Sequence, residues 1–394
     1  MDYHATTPLD PRVLEAMIPF FIEKFGNPAS RQHAFGWVAE EAVESSRASI
    51  ARHLGCEPRG VIFTSGATES NNLALKGAAE AWKHKGNHIV TVQTEHASVL
   101  DTCKKLEKQG YEITFLPVDE YGIVDLNRLK DALKPATILV SVMFANNEIG
   151  TVQSIAEIGK LCCELGILFH TDGTQAVGKI PVDVQRMSID LMSFTAHKMC
   201  GPKGVGVLYV RQTAPRAKIA IQMEGGGHER GMRSGTLNVP GIVGLGKALD
   251  LSIQVMAEES KRLGTFRDKI FGEFSSRLGD VYLNGHPTNR LPNNLNVSFL
   301  YVDGNALMMS MKDIAVSSGS ACSTADPEPS HVLKALRLPQ DRLHSAIRFG
   351  FGRFTTEDEV KYVIGRVVES VQRLRETSPV YLSHLRKQKQ ILTS

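Results

Sequence analysis

Several protein classes are excluded by what this 394-residue chain lacks. Cysteine is scarce. The six are Cys56, Cys103, Cys162, Cys163, Cys200 and Cys322, and no two stand in a C-x-x-C pair. No signal peptide is recognised at the start. A disulfide framework is therefore not expected, and a reducing cytoplasm is the expected setting. No run of 18 or more apolar residues occurs, so no membrane contact is expected. Neither sign of charge dominates: 45 Lys plus Arg against 42 Asp plus Glu leave a net charge of +3. That is no nucleic-acid footprint. The one basic cluster, RKQKQ at 386–390, reads as a solvated C-terminus. No G-x-G-x-x-G follows an early strand pattern, which disfavours a dinucleotide-binding dehydrogenase.

What is present fits an ordinary globular enzyme of two domains, with 42% hydrophobic and 22% charged residues. Helical patterns at 35–53, 68–82, 99–110, 126–133 and 154–166 alternate with strand patterns at 60–65, 88–93, 111–118, 137–145 and 167–172. Two more strand patterns follow at 191–197 and 204–210. The alternation predicts an α/β fold whose mostly parallel central sheet is flanked by helices. After about residue 256 the character changes. A charged helix at 257–278, strand material at 294–302 and 346–354, a short helix at 330–336 and a last helix from about 355 predict a smaller α+β C-terminal domain. The expected division is a large domain over 8–256 and a small one over 257–394 joined by residues 1–7.

Four polar islands stand at the ends of predicted strands, where open α/β sheets bind ligands. In TSGATESNNLAL (64–75) small residues lead into a helix near Thr68. This is either a phosphate cradle of free backbone N–H groups or a plain capping turn with Thr68 or Ser65 as cap. In TEHASV (94–99), His96 is either structural or functional. In HTDGTQA (170–176), Asp172 closes a buried apolar strand, where a carboxylate needs a partner. A protonated ring nitrogen would serve. The alternatives are a turn cap or a metal ligand beside His170, although no metal-ligand spacing surrounds the pair, and no metal site is expected. In SFTAHKMCGPKGVG (193–206), Lys198 is either an amine nucleophile held between strand and turn or a surface lysine. A phosphate cradle, an acid for a ring nitrogen, a stacking histidine and a nucleophilic lysine form the set that pyridoxal 5'-phosphate requires.

Longer motifs then join the islands. They are DYHATTPLDPRV (2–13), SGATESNNLA (65–74), TEHASV (94–99), ANNEIGTVQ (145–153), HTDGTQAVGKIPVD (170–183), AHKMCGPKGVG (196–206), RSGTLNVPGIVG (233–244), SSGSACS (317–323) and SAIRFGFGRFTTEDEV (345–360). In that order they make the chain resemble the NifS/IscS family of cysteine desulfurases, fold-type I pyridoxal-phosphate enzymes within the class-V aminotransferase family. The resemblance implies roles for individual residues. Lys198 holds the cofactor covalently. Asp172 pairs with the ring nitrogen, Gln175 with the phenolic oxygen, and His96 stacks on the ring and assists proton transfer. Ala67, Thr68, Thr195 and His197 surround the phosphate, with Thr236 reaching in from the second subunit of a homodimer. Asn147 and Arg348 grip the α-carboxylate of L-cysteine.

The resemblance also implies that Cys322 takes the substrate's sulfur as a persulfide, leaving L-alanine. An iron–sulfur scaffold or a sulfur-carrier protein then accepts the sulfur. The surrounding run SSGSACSTADPEPSH (317–331) is small and polar and reads as a mobile loop. The other five cysteines read as structural. Only one residue precedes Asp2, shorter than the family's pattern, which implies a missing edge strand and looser packing of the small domain. Three rival readings are kept open. An aminotransferase needs no loop cysteine, a selenocysteine lyase shares almost every residue, and a non-catalytic binding protein would bind no cofactor.

Overall fold

The structure, a computed structural model, describes residues 1–318 and 329–392, with side chains to residue 387. Its main element is a seven-stranded sheet built from β1 (Val61–Thr64), β2 (His88–Val92), β3 (Glu112–Leu116), β4 (Thr137–Ser141), β5 (Leu168–Asp172), β6 (Leu191–Thr195) and β7 (Gly206–Val210). The order across the sheet is β1-β7-β6-β5-β4-β2-β3. β7 runs against both of its neighbours and every other pair is parallel, so the sheet is mixed but mostly parallel.

Alternation along the strands separates two cores. Ile62, Ile89, Leu139, Leu168, Leu191 and Leu208 pack on one face with Leu75 and Ala78 of helix Ala67–Trp82 and Val99 and Cys103 of helix Ala97–Glu107. On the opposite face, Phe63, Val90, Val140, Phe169, Met192 and Val207 pack with helices Ala34–Leu54, Ile155–Leu165 and the start of Val239–Leu278. With both faces covered, the central strands can be apolar throughout, which is why they read as continuous hydrophobic runs.

A second, antiparallel sheet of β8 (Val281–Leu283), β9 (Asn294–Phe299) and β10 (Ala346–Gly350) has the order β10-β9-β8. It packs against helix Glu357–Glu376, which opens with a capping box between Thr356 and Glu359. The N-terminal residues lie along its edge: Asp2 bridges Gly350 in parallel, and Gly350 N donates to the Met1 carbonyl at 2.8 Å.

Two details differ from the sequence reading, and one adds to it. The helix expected from 257 begins at Val239, behind an Asn238 cap, and runs unbroken to Leu278. Ile242, Leu245 and Leu249 serve the large core, while Leu263, Phe266, Ile270 and Phe274 serve the small one. By length and composition this helix could also cross a membrane, but most of its apolar window is buried in the protein. The basic tail lies in a further helix, Pro379–Leu392. Cys163 faces solvent, whereas Cys103, Cys162 and Cys200 are buried.

His170 lies at the centre of the sheet and is fully buried. Its ring nitrogens meet Ser141 Oγ at 2.9 Å and Ser193 Oγ at 3.1 Å. Burial pushes its pKa from 6.5 down to about 4, against the pull of Asp172. Between these two values the unfolded chain binds more protons, so stability rises with pH across that window and is lost as pH falls through it. Urea unfolding followed from pH 7 down to 4 is expected to show a shallower acid loss in His170→Asn than in the wild type.

Candidate active site

Because β1, β2, β4, β5 and β6 point the same way, their carboxyl ends line one edge of the large sheet, and the polar segments that follow them meet there. After β1 the chain turns at Gly66 into helix Ala67–Trp82. Gly66 has φ +159°, and a Cβ there would meet only Thr195 Oγ1, at 4.0 Å. Gly206 makes the turn possible, since a Cβ on it would lie 2.6 Å from Gly66 Cα. No side chain caps the helix start, so neither Thr68 nor Ser65 acts as the cap. Ser65 N instead donates to Glu69, whose carboxylate pairs with Arg233 at 2.8 Å. That pair ties the stretch carrying the exposed Thr236 to the helix that carries Ala67 and Thr68.

The ends of β5 and β2 are joined by hydrogen bonds. Asp172 is buried; its Oδ1 accepts from Thr174 N at 3.0 Å and its Oδ2 from Asn71 Nδ2 at 2.8 Å. The turn-cap reading of Asp172 thus holds alongside a second contact. Asn71 Nδ2 also donates to Ser98 Oγ at 2.8 Å, and Ser98 Oγ lies 2.8 Å from His96 Nδ1. Ser98 N–H donates to the same His96 nitrogen at 3.1 Å, so in the neutral ring the proton sits on Nε2. Neighbouring Glu95 is buried, and burial plus the nearby Asp172 raise its pKa well above the carboxylate range. Its Oε1 accepts from Met143 N at 2.6 Å while its Oε2 has no partner, which fits a neutral acid.

Lys198 follows β6 in the short turn Ala196–Lys198. Its Nζ donates to the carbonyls of His4 at 2.7 Å and Ala5 at 2.6 Å. The N-terminal segment wraps this turn: Thr7 bonds the His197 carbonyl through both N and Oγ1, and Thr6 Oγ1 meets His197 Nδ1 at 3.1 Å. Burial, then the charges of Lys198 and Lys203, push His197 down to about 4, so it stays a neutral ring. Thr195 Oγ1 donates to the Val205 carbonyl at 2.9 Å. Buried Gln175 binds His4 and Lys179 rather than a residue of the neighbouring strands.

Arg348 of β10 is only 2% exposed. Nη2 donates to Asp2 Oδ1 at 2.8 Å and Ser317 Oγ at 3.2 Å, Nη1 donates to the Asn147 carbonyl at 3.0 Å, and Nε has no partner. Arg348 and Asn147 are therefore brought together, with a carboxylate on the guanidinium. Beside them Glu148 is pushed up to about 7 by burial, against a hydrogen bond from Ser330 and the charge of Arg348. Cys322 lies outside the described residues, as does most of the run expected to form its loop. The flanking residues are anchored, with Ser317 Oγ on Asp2 Oδ2 at 2.9 Å and His331 Nε2 donating to the Glu95 carbonyl at 2.9 Å.

Sequence reasoning missed Asn71, Ser98, Glu95, Lys179 and His4. The available signal was a further polar residue within four positions of an expected one for Asn71 (Thr68), Glu95 and Ser98 (His96) and Lys179 (Gln175); His4 had none. Among the described residues, Asn71 alone joins Asp172 to Ser98. Asn71→Leu leaves a buried carboxylate and a buried hydroxyl short of a donor and is expected to lower the unfolding free energy by about 2–4 kcal/mol in urea titrations.

The model of the aminotransferase class-V family matches residues 1–363. A cysteine desulfurase IscS of Anaeromyxobacter sp. (strain Fw109-5) is 56% identical over 381 residues, covering 97% of this chain and 94% of that one. Among solved structures, a "NifS-like protein" superposes with a TM-score of 0.88 at 37% identity, over 94% of this chain and 98% of the other. "SspA in complex with cysteine" superposes with a TM-score of 0.79 at 35% identity, over 90% of this chain and 99% of that one. Strand order, the segments gathered at the sheet edge and these likenesses agree: the chain belongs to the class-V aminotransferase family, in its NifS/IscS branch of fold-type I pyridoxal-phosphate enzymes.

Proposed function

We propose that the protein is a pyridoxal-phosphate-dependent cysteine desulfurase that converts L-cysteine to L-alanine and keeps the sulfur as a persulfide on Cys322. The observation that carries this reading is the buried, hydrogen-bonded Asp172 carboxylate at the end of β5, next to the strand whose end bears Lys198. The donor set fits the cofactor. The open cradle at Gly66 suits a phosphate, and Asp172 has lone pairs left for a protonated ring nitrogen. The buried Thr174 Oγ1 is without a partner. Bound there, pyridoxal phosphate supplies an electron sink that loosens the bond between the substrate's β-carbon and sulfur.

The chain's own residues would do the rest. Lys198 would be the attachment point for the cofactor and the base at the substrate's α-carbon. Asp172 keeps the ring nitrogen protonated, and Gln175 bonds the phenolic oxygen. Ala67 and Thr68 at the helix start, with Thr195 and His197, hold the phosphate, joined by Thr236 from a second subunit. Arg348 and Asn147 take the α-carboxylate, which replaces Asp2 on the guanidinium. His96, with its proton on Nε2, would stack on the cofactor ring and pass a proton between the thiol groups and the product. The Cys322 thiolate attacks the substrate's sulfur. An S–S bond forms as the carbon–sulfur bond breaks, and the electron pair left on the β-carbon takes a proton to give the methyl group of alanine. No outside oxidant or reductant is needed. The sulfur then passes to an iron–sulfur scaffold or sulfur-carrier protein. A cytoplasmic setting is supported by the five described cysteines, all free thiols.

The test is single-turnover mass spectrometry of the wild type and C322A with free cysteine, with alanine measured alongside. A gain of one sulfur atom mapped to Cys322, with matching alanine that is lost in C322A, is the expected result. Yellow protein that makes no alanine and gains no sulfur in either form would keep the cofactor and sink the desulfurase.

A homodimer is supported by the apolar surface near the N-terminus. Phe21, Ile22 and Phe25 are 60, 69 and 66% exposed, and the exposed ring of Phe35 lies 5.8 Å from that of Phe25. Light scattering should find two copies of the wild type and one of the double variant Phe21→Glu, Phe25→Glu. A monomeric wild type would remove the partner's Thr236 from the site.

A further inference from the structure

Arg348 already holds a carboxylate. Asp2 Oδ1 accepts from Nη2 at 2.8 Å, and Asp2 Oδ2 accepts from Ser317 Oγ at 2.9 Å. Among the described residues this is the one ion pair that Arg348 makes. Backbone pairing delivers it. Gly350 N donates to the Met1 carbonyl at 2.8 Å and Tyr3 N to the Gly350 carbonyl at 3.3 Å, which lays Asp2 alongside β10 close to Arg348.

The donors of the guanidinium are spent unevenly. Nη2 has two hydrogens, and both are used, one by Asp2 and one by Ser317 Oγ at 3.2 Å. Nη1 serves the Asn147 carbonyl at 3.0 Å. Nε is buried and has no partner. A carboxylate that grips a guanidinium with both oxygens takes two parallel N–H groups, either Nε with Nη2 or Nη1 with Nη2. Nη2 belongs to both forks. A bidentate carboxylate therefore has to take a hydrogen from Asp2 or from Ser317. Taking it from Ser317 would leave two carboxylates on one buried nitrogen, where like charges repel. Asp2 is the group that yields. Its side chain is 21% exposed against 2% for Arg348, so it has water to turn to.

We propose that Asp2 is a positioning residue that sets the specificity of the Arg348 subsite: a resident carboxylate that gives up the guanidinium only to a ligand bringing a bidentate carboxylate of its own. Such a ligand gains by the exchange. Asp2 satisfies Nη2 alone, because its second oxygen is tied to Ser317, whereas an incoming carboxylate can also give the orphaned Nε a partner. A neutral carboxamide cannot make the exchange, since removing Asp2 would leave the buried guanidinium without a counter-charge. A ligand with an amine and a thiol but no carboxylate fails for the same reason. The proposal rests on the reading above that Arg348 receives the substrate's α-carboxylate.

The experiment titrates the holoenzyme with L-alanine and with L-alaninamide and follows binding by calorimetry, in a buffer free of carboxylates and chloride. The two ligands offer the cofactor the same amine and differ at the carboxylate. Wild type, D2N, D2S and R348Q are compared. Asp2→Asn keeps the size and an oxygen for Nη2 while removing the charge, and Asp2→Ser repeats the test should that variant not fold. Removing one charge-assisted competitor should lower the L-alanine dissociation constant about tenfold in D2N and D2S, and should not lower that of L-alaninamide. L-alanine bound no more tightly by D2N and D2S than by the wild type would overturn the proposal, because Asp2 would then only prop Arg348. Equal tightening of both ligands would overturn it too, since Asp2 would then obstruct the site without regard to charge. R348Q should bind the two ligands alike. An R348Q that still prefers L-alanine would sink the reading that Arg348 receives the carboxylate, and a wild type that stays colourless with the cofactor would sink the cofactor reading.

Discussion

A guanidinium cannot be taken out of water without partners, and Arg348 is almost wholly out of water. Its needs organise the site. Asp2 supplies the counter-charge from the N-terminal segment, Asn147 a carbonyl from the loop after β4, and Ser317 a hydroxyl from the small domain. The same loop after β4 is fastened again from below. Asn294 and Asn296 of β9 donate to the Glu148 carbonyl, and buried Arg290 donates to the Ile149 carbonyl. The small sheet is thus joined to the edge of the large one by hydrogen bonds to backbone, beside an apolar cluster in which Ile149 of that loop packs with Val332, Leu333 and Ala346.

The large sheet was legible in the sequence because its strands are buried on both faces and so are apolar along their length. TILVSVMFA at 137–145 and ILF at 167–169 stand out against the charged helices around them. Less of the second half was legible. The start of the long helix, VPGIVGLG, carries three glycines and a proline, residues that read as loop. They are tolerated because the glycines sit against other elements: a Cβ on Gly244 would strike Met17 and Pro202. Strand β8 has three residues, too few for any alternation to show.

At the site, sequence order could mark which segments follow strands, and so brought out His96, Asp172 and Lys198. It could not show who bonds whom. Asp2 and Arg348 are 346 positions apart, and His4 and Gln175 are 171 apart. Neither pairing leaves a local pattern. The burial of Glu95 was equally hidden, since TEH reads as a polar loop and only the fold shows that its carboxyl points at Met143 N.

Helix Val239–Leu278 is 40 residues long, about 60 Å at the usual rise. One end is set in the core of the large domain and the other in that of the small. A cut at residue 256 would therefore not release two modules. Each fragment would keep half a helix with its apolar stripe facing water, and neither core would have its full wall. A gene fusion or domain exchange that respects this molecule must place its seam outside the helix, however natural a midpoint boundary looks on paper.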